Sequence, residues 1–101
     1  MLKIGGIYNF ENSIMICLEI EENECFIVKT LDIKNNSNKS INETLLTMFK
    51  QNNLKNKLVY QNLQLRFLNN HLNGYLGQVN QEILNELKEN LFHSYVYTRK
   101  F

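Results

Sequence analysis

The chain has 101 residues, a net charge of +1, 44% hydrophobic and 21% charged side chains, the composition of an ordinary globular domain rather than a disordered chain. That length fits one domain, residues 1–101, near the small end of what can bury a self-sufficient core. So even a charge balance gives no global signature of a nucleic-acid or membrane-surface binder, and such a role has to come from a local patch.

The opening "MLKIGGIYNF" has no long apolar run before a small-residue cleavage site, so it does not read as a signal peptide. No stretch approaches the roughly 18 continuous apolar residues of a membrane helix. Cys17 and Cys25 sit in apolar, strand-like runs, and in a chain read as unexported they are expected as reduced packing residues rather than a disulfide. The expected compartment is the cytoplasm.

In chain order, the first third reads as β. "GGIYNF" gives a short strand after a glycine pair. "SIMICLEIE" alternates, with Ile14, Ile16, Leu18 and Ile20 on one face and Met15, Cys17 and Glu19 on the other. "ECFIVKTLDI" is a third β-branched and aromatic run. Between the last two, Glu22-Asn23 fits a tight hairpin turn, because Asn tolerates positive φ. The polar "KNNSNKS" is a connector. Ser40 and Glu43 then have the spacing of a capping box, and Ile41, Leu45, Met48 and Phe49 form a stripe, which predicts a helix over about 41–51. The asparagines of "QNNLKN" close it.

"KLVYQNLQLRFLNN" supports two readings. Leu63, Leu65 and Phe67 alternate with Gln64 and Arg66 as in a strand, whereas the Leu65-to-Leu68 spacing allows a helix; strand is the choice made here. "HLNGYLGQVN" then brings Gly74 and Gly77 just before an amphipathic helix over about 80–92. In that helix Ile83, Leu84, Leu87 and Leu91 share one face, Asn80 is the cap and Glu82 suits the positive end of the helix dipole. The alternating "HSYVYTRKF" reads as an added edge strand.

His71, His93, Cys17 and Cys25 show no short paired metal-ligand spacing, so neither a metal nor a cofactor is expected. Gly74 and Gly77 lack the third glycine and the Lys-Ser/Thr of nucleotide-binding loops. Charge is distributed unevenly. Lys34, Lys39, Lys50, Lys55, Lys57 and Arg66 occupy a middle region whose only acid is Glu43, while Glu19, Glu21, Glu22 and Glu24 crowd the first long hairpin. Two readings stand: a basic face for phosphates opposite an acidic interaction tip, or lysines that merely solvate a connector and a helix. Tyr60 is the aromatic among those lysines that can stack a base.

Taken together, "LVYQNLQLRFLNNHLNGYLGQVNQEILNELKENL" resembles the C-terminal half of the MazF/PemK toxin family. "YLGQVNQEILNEL" is similar to that family's step into its closing helix, and "GGIYNF" with "IMICLEI" to its opening strands. The resemblance implies an α+β fold: a small SH3-like bent antiparallel β-barrel or sheet, carrying the inserted helix (about 41–51) and the C-terminal helix (about 80–92). Gly77 would mark the exit from the barrel, needing positive φ or close backbone approach, and Gly74 would relieve crowding one turn earlier. It also implies a homodimeric, metal-independent endoribonuclease acting on single-stranded RNA and held by an antitoxin. The family's strand arginine and acid fall on Tyr60 and Asn62, which supply neither a fixed cation nor a carboxylate. Arg66 is the candidate catalytic cation, provided that it shares the face of Tyr60. The first loop, "NFENS", also lacks the family's long connection with its arginine-proline pair.

The expected RNA- or partner-binding set is therefore Lys50, Lys55, Lys57, Tyr60, Asn62 and Arg66. Two functions follow: a toxin-type protein that cleaves or merely binds RNA, or a non-catalytic protein-interaction module, such as a phage- or mobile-element-encoded inhibitor of a host system.

Overall fold

Apolar alternation broken by two-residue turns makes the first third of the chain a meander. In a computed structural model, β1 (Gly6–Phe10), β2 (Ser13–Glu21) and β3 (Glu24–Thr30) pair antiparallel in succession. The structure describes residues 2–11, 13–30, 38–51 and 58–99, without the side chains of 38, 39, 73 and 91–99. Glu21 pairs with Glu24 around the expected Glu22-Asn23 turn, but the positive φ (52°) falls on Glu22 and not on Asn23.

Cys17 faces Ile27 and Glu19 faces Phe26, so Leu18 is an extra residue in the ladder. Such a bulge reverses the inward-outward phase beyond it. Ile14, Ile16 and Leu18 point to one side as expected, whereas Ile20 turns to the opposite side with Met15 and Cys17.

Three helices and two further strands complete the α+β fold: α1 (Asn38–Lys50), β4 (Leu58–Gln64), α2 (Leu65–His71), β5 (Leu72–Gln78) and α3 (Gln81–Arg99). The strand order is β4-β3-β2-β1-β5, antiparallel throughout and open, with β4 and β5 as its edges. Four inter-strand steps would separate those edges by roughly 19 Å in a flat sheet. The seven-residue α2 that joins them spans only ~10 Å. The sheet must therefore bend toward α2.

Four expectations at element level are corrected. The stretch read as strand over residues 57–70 is strand only to Gln64, where the Leu65 amide turns to the Asn23 carbonyl (2.8 Å) and α2 begins. Ser40 is the third residue of α1 rather than its cap, and its carbonyl accepts the Thr44 hydroxyl (2.7 Å). The closing asparagines of "QNNLKN" lie outside the described residues. Residues 93–99 continue α3 instead of adding an edge strand. Finally, both glycines lie inside β5, where its pairing with β1 slips twice. Gly77 faces Ile7 at φ 144°, and Gly74 has φ 88° with only open space where a Cβ would stand, so conformation and not crowding explains Gly74.

The chain leaves the sheet at Val79-Asn80, held there by buried Asn42 of α1. Its Nδ2 donates to the Gln78 carbonyl (3.3 Å), and its Oδ1 accepts the Asn80 amide (2.8 Å). The Asn80 carbonyl accepts the first helical bond of α3, from Leu84 (3.0 Å). Ile83, Leu84 and Leu87 are buried with Ile41, Leu45 and Met48 of α1 against Ile7, Ile16 and Val28, which forms one core. Leu91, expected in the same stripe, lies outside the described side chains. The opposite face of the sheet holds Tyr8, Phe10, Met15, Cys17, Cys25 and Ile27, with Leu2 and Leu68 of α2 laid over it.

Candidate nucleic-acid interface

The described members of the set marked out by the sequence, Lys50, Tyr60, Asn62 and Arg66, do not converge. Lys50 is the exposed last residue of α1, and Lys55 and Lys57 lie outside the described residues. Tyr60 packs on the core beneath the helices, and its buried hydroxyl has no hydrogen-bond partner among the described residues. Burial pushes that hydroxyl up to about 12. A ring so placed offers little face to a base. Asn62 is exposed and donates to the Glu24 carboxylate (3.1 Å). Arg66 stands exposed in the first turn of α2, which covers the opposite face of the sheet. The condition that Arg66 share the face of Tyr60 is not met.

The acidic tip is partly dispersed. Glu21, Glu22 and Glu24 are exposed around the hairpin turn, whereas the bulge turns Glu19 toward α3, where it pairs with Lys88 (3.1 Å).

What the fold does assemble is a row of aromatics on the face under α2. Tyr8 and Phe10 alternate on β1 and so project to the same side. At one end Tyr75 of β5 meets Tyr8 edge to face (5.4 Å between ring centres), and the Lys3 ammonium sits 5.3 Å from the Tyr75 ring. The Lys3 amide donates to the Tyr8 hydroxyl (2.8 Å) and fixes that end. At the other end Phe67 of α2 meets Phe10 edge to face (6.2 Å) and stacks on His71 (4.2 Å), one helical turn on.

A backbone carbonyl only accepts, so the His71 contact with the Phe67 carbonyl (2.8 Å) places the proton on Nδ1. In the neutral ring this leaves Nε2 as the acceptor. Lys29 lies 5.0 Å from the Phe10 ring, and Glu11 balances its charge at 3.0 Å. Tyr75 is 50% exposed and Phe67 40%, so the two ends of the row present ring surface to solvent.

Exposed rings flanked by cations can stack unpaired bases and attract the phosphates between them. Sequence reasoning passed over these residues because they are dispersed along the chain. The available signals were the Tyr8/Phe10 alternation and the four-residue spacing of Phe67 and His71, but only the sheet order brings β1, α2 and β5 together. Among the described residues, no three His, Cys, Asp or Glu side chains come together as a metal site, and no helix is long and apolar enough to cross a membrane. The chain matches no protein-family model, no curated protein and no solved structure.

Proposed function

We propose that this chain binds single-stranded RNA along the row Tyr75, Tyr8, Phe10, Phe67 and His71, as a weakly cleaving or non-cleaving protein of the PemK/MazF type, controlled in the cytoplasm by an antitoxin. The observation that supports this reading is the pair of solvent-facing rings, Tyr75 and Phe67, at the ends of one aromatic row with Lys3 beside it and Arg66 on the same helix as Phe67. RNA cleavage without a metal needs a base, an acid and a cation converging on one phosphate. Arg66 lies on α2, away from the face of β4 that carries Tyr60 and Asn62, which argues against that constellation, so binding is the better-supported activity.

Titration of a labelled single-stranded RNA against salt tests the reading. The affinity should fall steeply as salt rises, since each phosphate contact releases counterions. Absence of binding even at low salt would overturn it and favour the protein-interaction alternative, whose surface would be the exposed Glu21, Glu22 and Glu24.

A further inference from the structure

We propose that Cys17 and Cys25 form an oxidisable dithiol that closes into an intramolecular disulfide across the β2–β3 hairpin. The two sulfurs lie 3.3 Å apart, both thiols are reduced, and both residues are fully buried in the cluster under α2. Diagonal neighbours on a regular antiparallel pair stand about 7–8 Å apart. A disulfide needs Cα atoms within about 4.4–6.8 Å. The bulge at Leu18 lies between the two cysteines in the ladder and breaks its regular spacing there, and their sulfurs are in contact.

The contact is also polarised. Either thiol can donate across the contact; with Cys17 as the donor, its own ionisation is pushed up and that of Cys25 down. Attack by Cys25 or by Cys17 leads to the same disulfide.

The oxidant is a peroxide, small enough to enter a packed sheet. In the route through Cys25, its thiolate attacks one oxygen of hydrogen peroxide and the O–O bond breaks; Cys25 becomes a sulfenic acid, and the hydroxide released takes the proton that Cys25 gave up on ionising, as the first water. The Cys17 sulfur then attacks the Cys25 sulfur, the S–O bond breaks, and the departing hydroxide takes the Cys17 proton. In sum, two thiols are oxidised, one peroxide is reduced, and a disulfide and two waters form. No third cysteine exists in the chain to divert the sulfenic acid within the same molecule.

The test treats the native full chain with hydrogen peroxide, then unfolds it, alkylates it and weighs it without reductant. The expected product is a monomer lighter by two hydrogens that takes up no alkylating reagent, with both thiols restored by dithiothreitol. A product that has gained oxygen at either cysteine would overturn the proposal. So would a disulfide-linked dimer as the main species, or two alkylatable thiols surviving a dose that oxidises the unfolded chain. RNA binding plays no part in this measurement, so its outcome is independent of the function proposed above.

Discussion

On one side of the sheet, α1 and α3 set Ile41, Leu45, Met48, Ile83, Leu84 and Leu87 against the strands, every one of them buried. On the other side the seven-residue α2 contributes Leu68 as its only buried residue and leaves Phe67 and His71 at the surface. Both faces are apolar because the strands are apolar on both sides, yet among the described residues the α1/α3 side is covered by far more buried side chains. The helix side can therefore account for most of the burial that stabilises so small a domain. The α2 side keeps the rings of Phe67 and Tyr75 in contact with water. Substitutions on the first side should act on stability, and substitutions at the exposed ends of the second should act on binding.

The largest effect is expected at the roofed face. Leu87 is fully buried, and Leu87→Ala should cost about 2–5 kcal/mol of unfolding free energy in denaturant, from lost transfer energy and the cavity left behind. A loss below about 1 kcal/mol would show that α3 is not the roof described.

The glycines of β5 sharpen the comparison where the two faces meet. Gly77→Val places a β-branched side chain at φ 144° in a paired position, and Gly74→Ala places a methyl group at φ 88° in open space. Both are strained, by about 1–3 kcal/mol. Gly77→Val should be the worse, because the strand pairing there holds the backbone in place. Thermal unfolding of the two variants checks the order, and equal, negligible shifts would mean that β5 is not held as paired here.

The smallest effect at neutral pH belongs to Tyr60. Its buried hydroxyl has no partner among the described residues, so Tyr60→Phe should change stability by less than ~1 kcal/mol or raise it slightly. The variant differs at high pH. The folded state holds this proton up to about 12 against 10.0 for an ordinary tyrosine, so above pH 10 the unfolded chain binds fewer protons than the folded one. The titration of Tyr60 therefore leaves stability unchanged below the ordinary value and lowers it as pH rises from there through the folded one. Tyr60→Phe should remove that part of the alkaline loss in an unfolding series, and an unchanged alkaline slope would place the hydroxyl in water.

The elements most legible in the sequence were those decided by local chemistry. Alternation marked β2, a short run after a glycine pair marked β1, a β-branched and aromatic run marked β3, and a polar cap before a stripe marked the start of α3. The bulge at Leu18 was not legible, because nothing in "SIMICLEIE" distinguishes an extra residue from a regular one; cross-strand pairing decides it. The end of β4 was ambiguous because Gln64-Leu65 carries no turn residue, and the strand stops where the Leu65 amide finds the Asn23 carbonyl, a contact between distant segments. Tyr95, Val96 and Tyr97 favour strands, yet α3 runs through them. Between Gln81 and Arg99 there is no Gly or Pro, and extending an existing helix adds one hydrogen bond per residue fixed. The candidate site was the least legible, since Tyr60 looked like a surface aromatic among lysines until the fold turned it inward. Tyr75 and Phe67 gained a shared surface only when β5 and α2 came to lie beside β1.

That exchange of roles is the most direct test of the account. The Kd for a short single-stranded RNA at low salt should be measured for the native chain, for the double variant Phe67→Ala/Tyr75→Ala, and for Tyr60→Phe with its fold confirmed. Loss of stacking should cost the double variant about 1–3 kcal/mol per base, a weakening of at least about tenfold, while Tyr60→Phe binds as the native chain does. Full affinity in the double variant would contradict the assignment of RNA binding to the aromatic row.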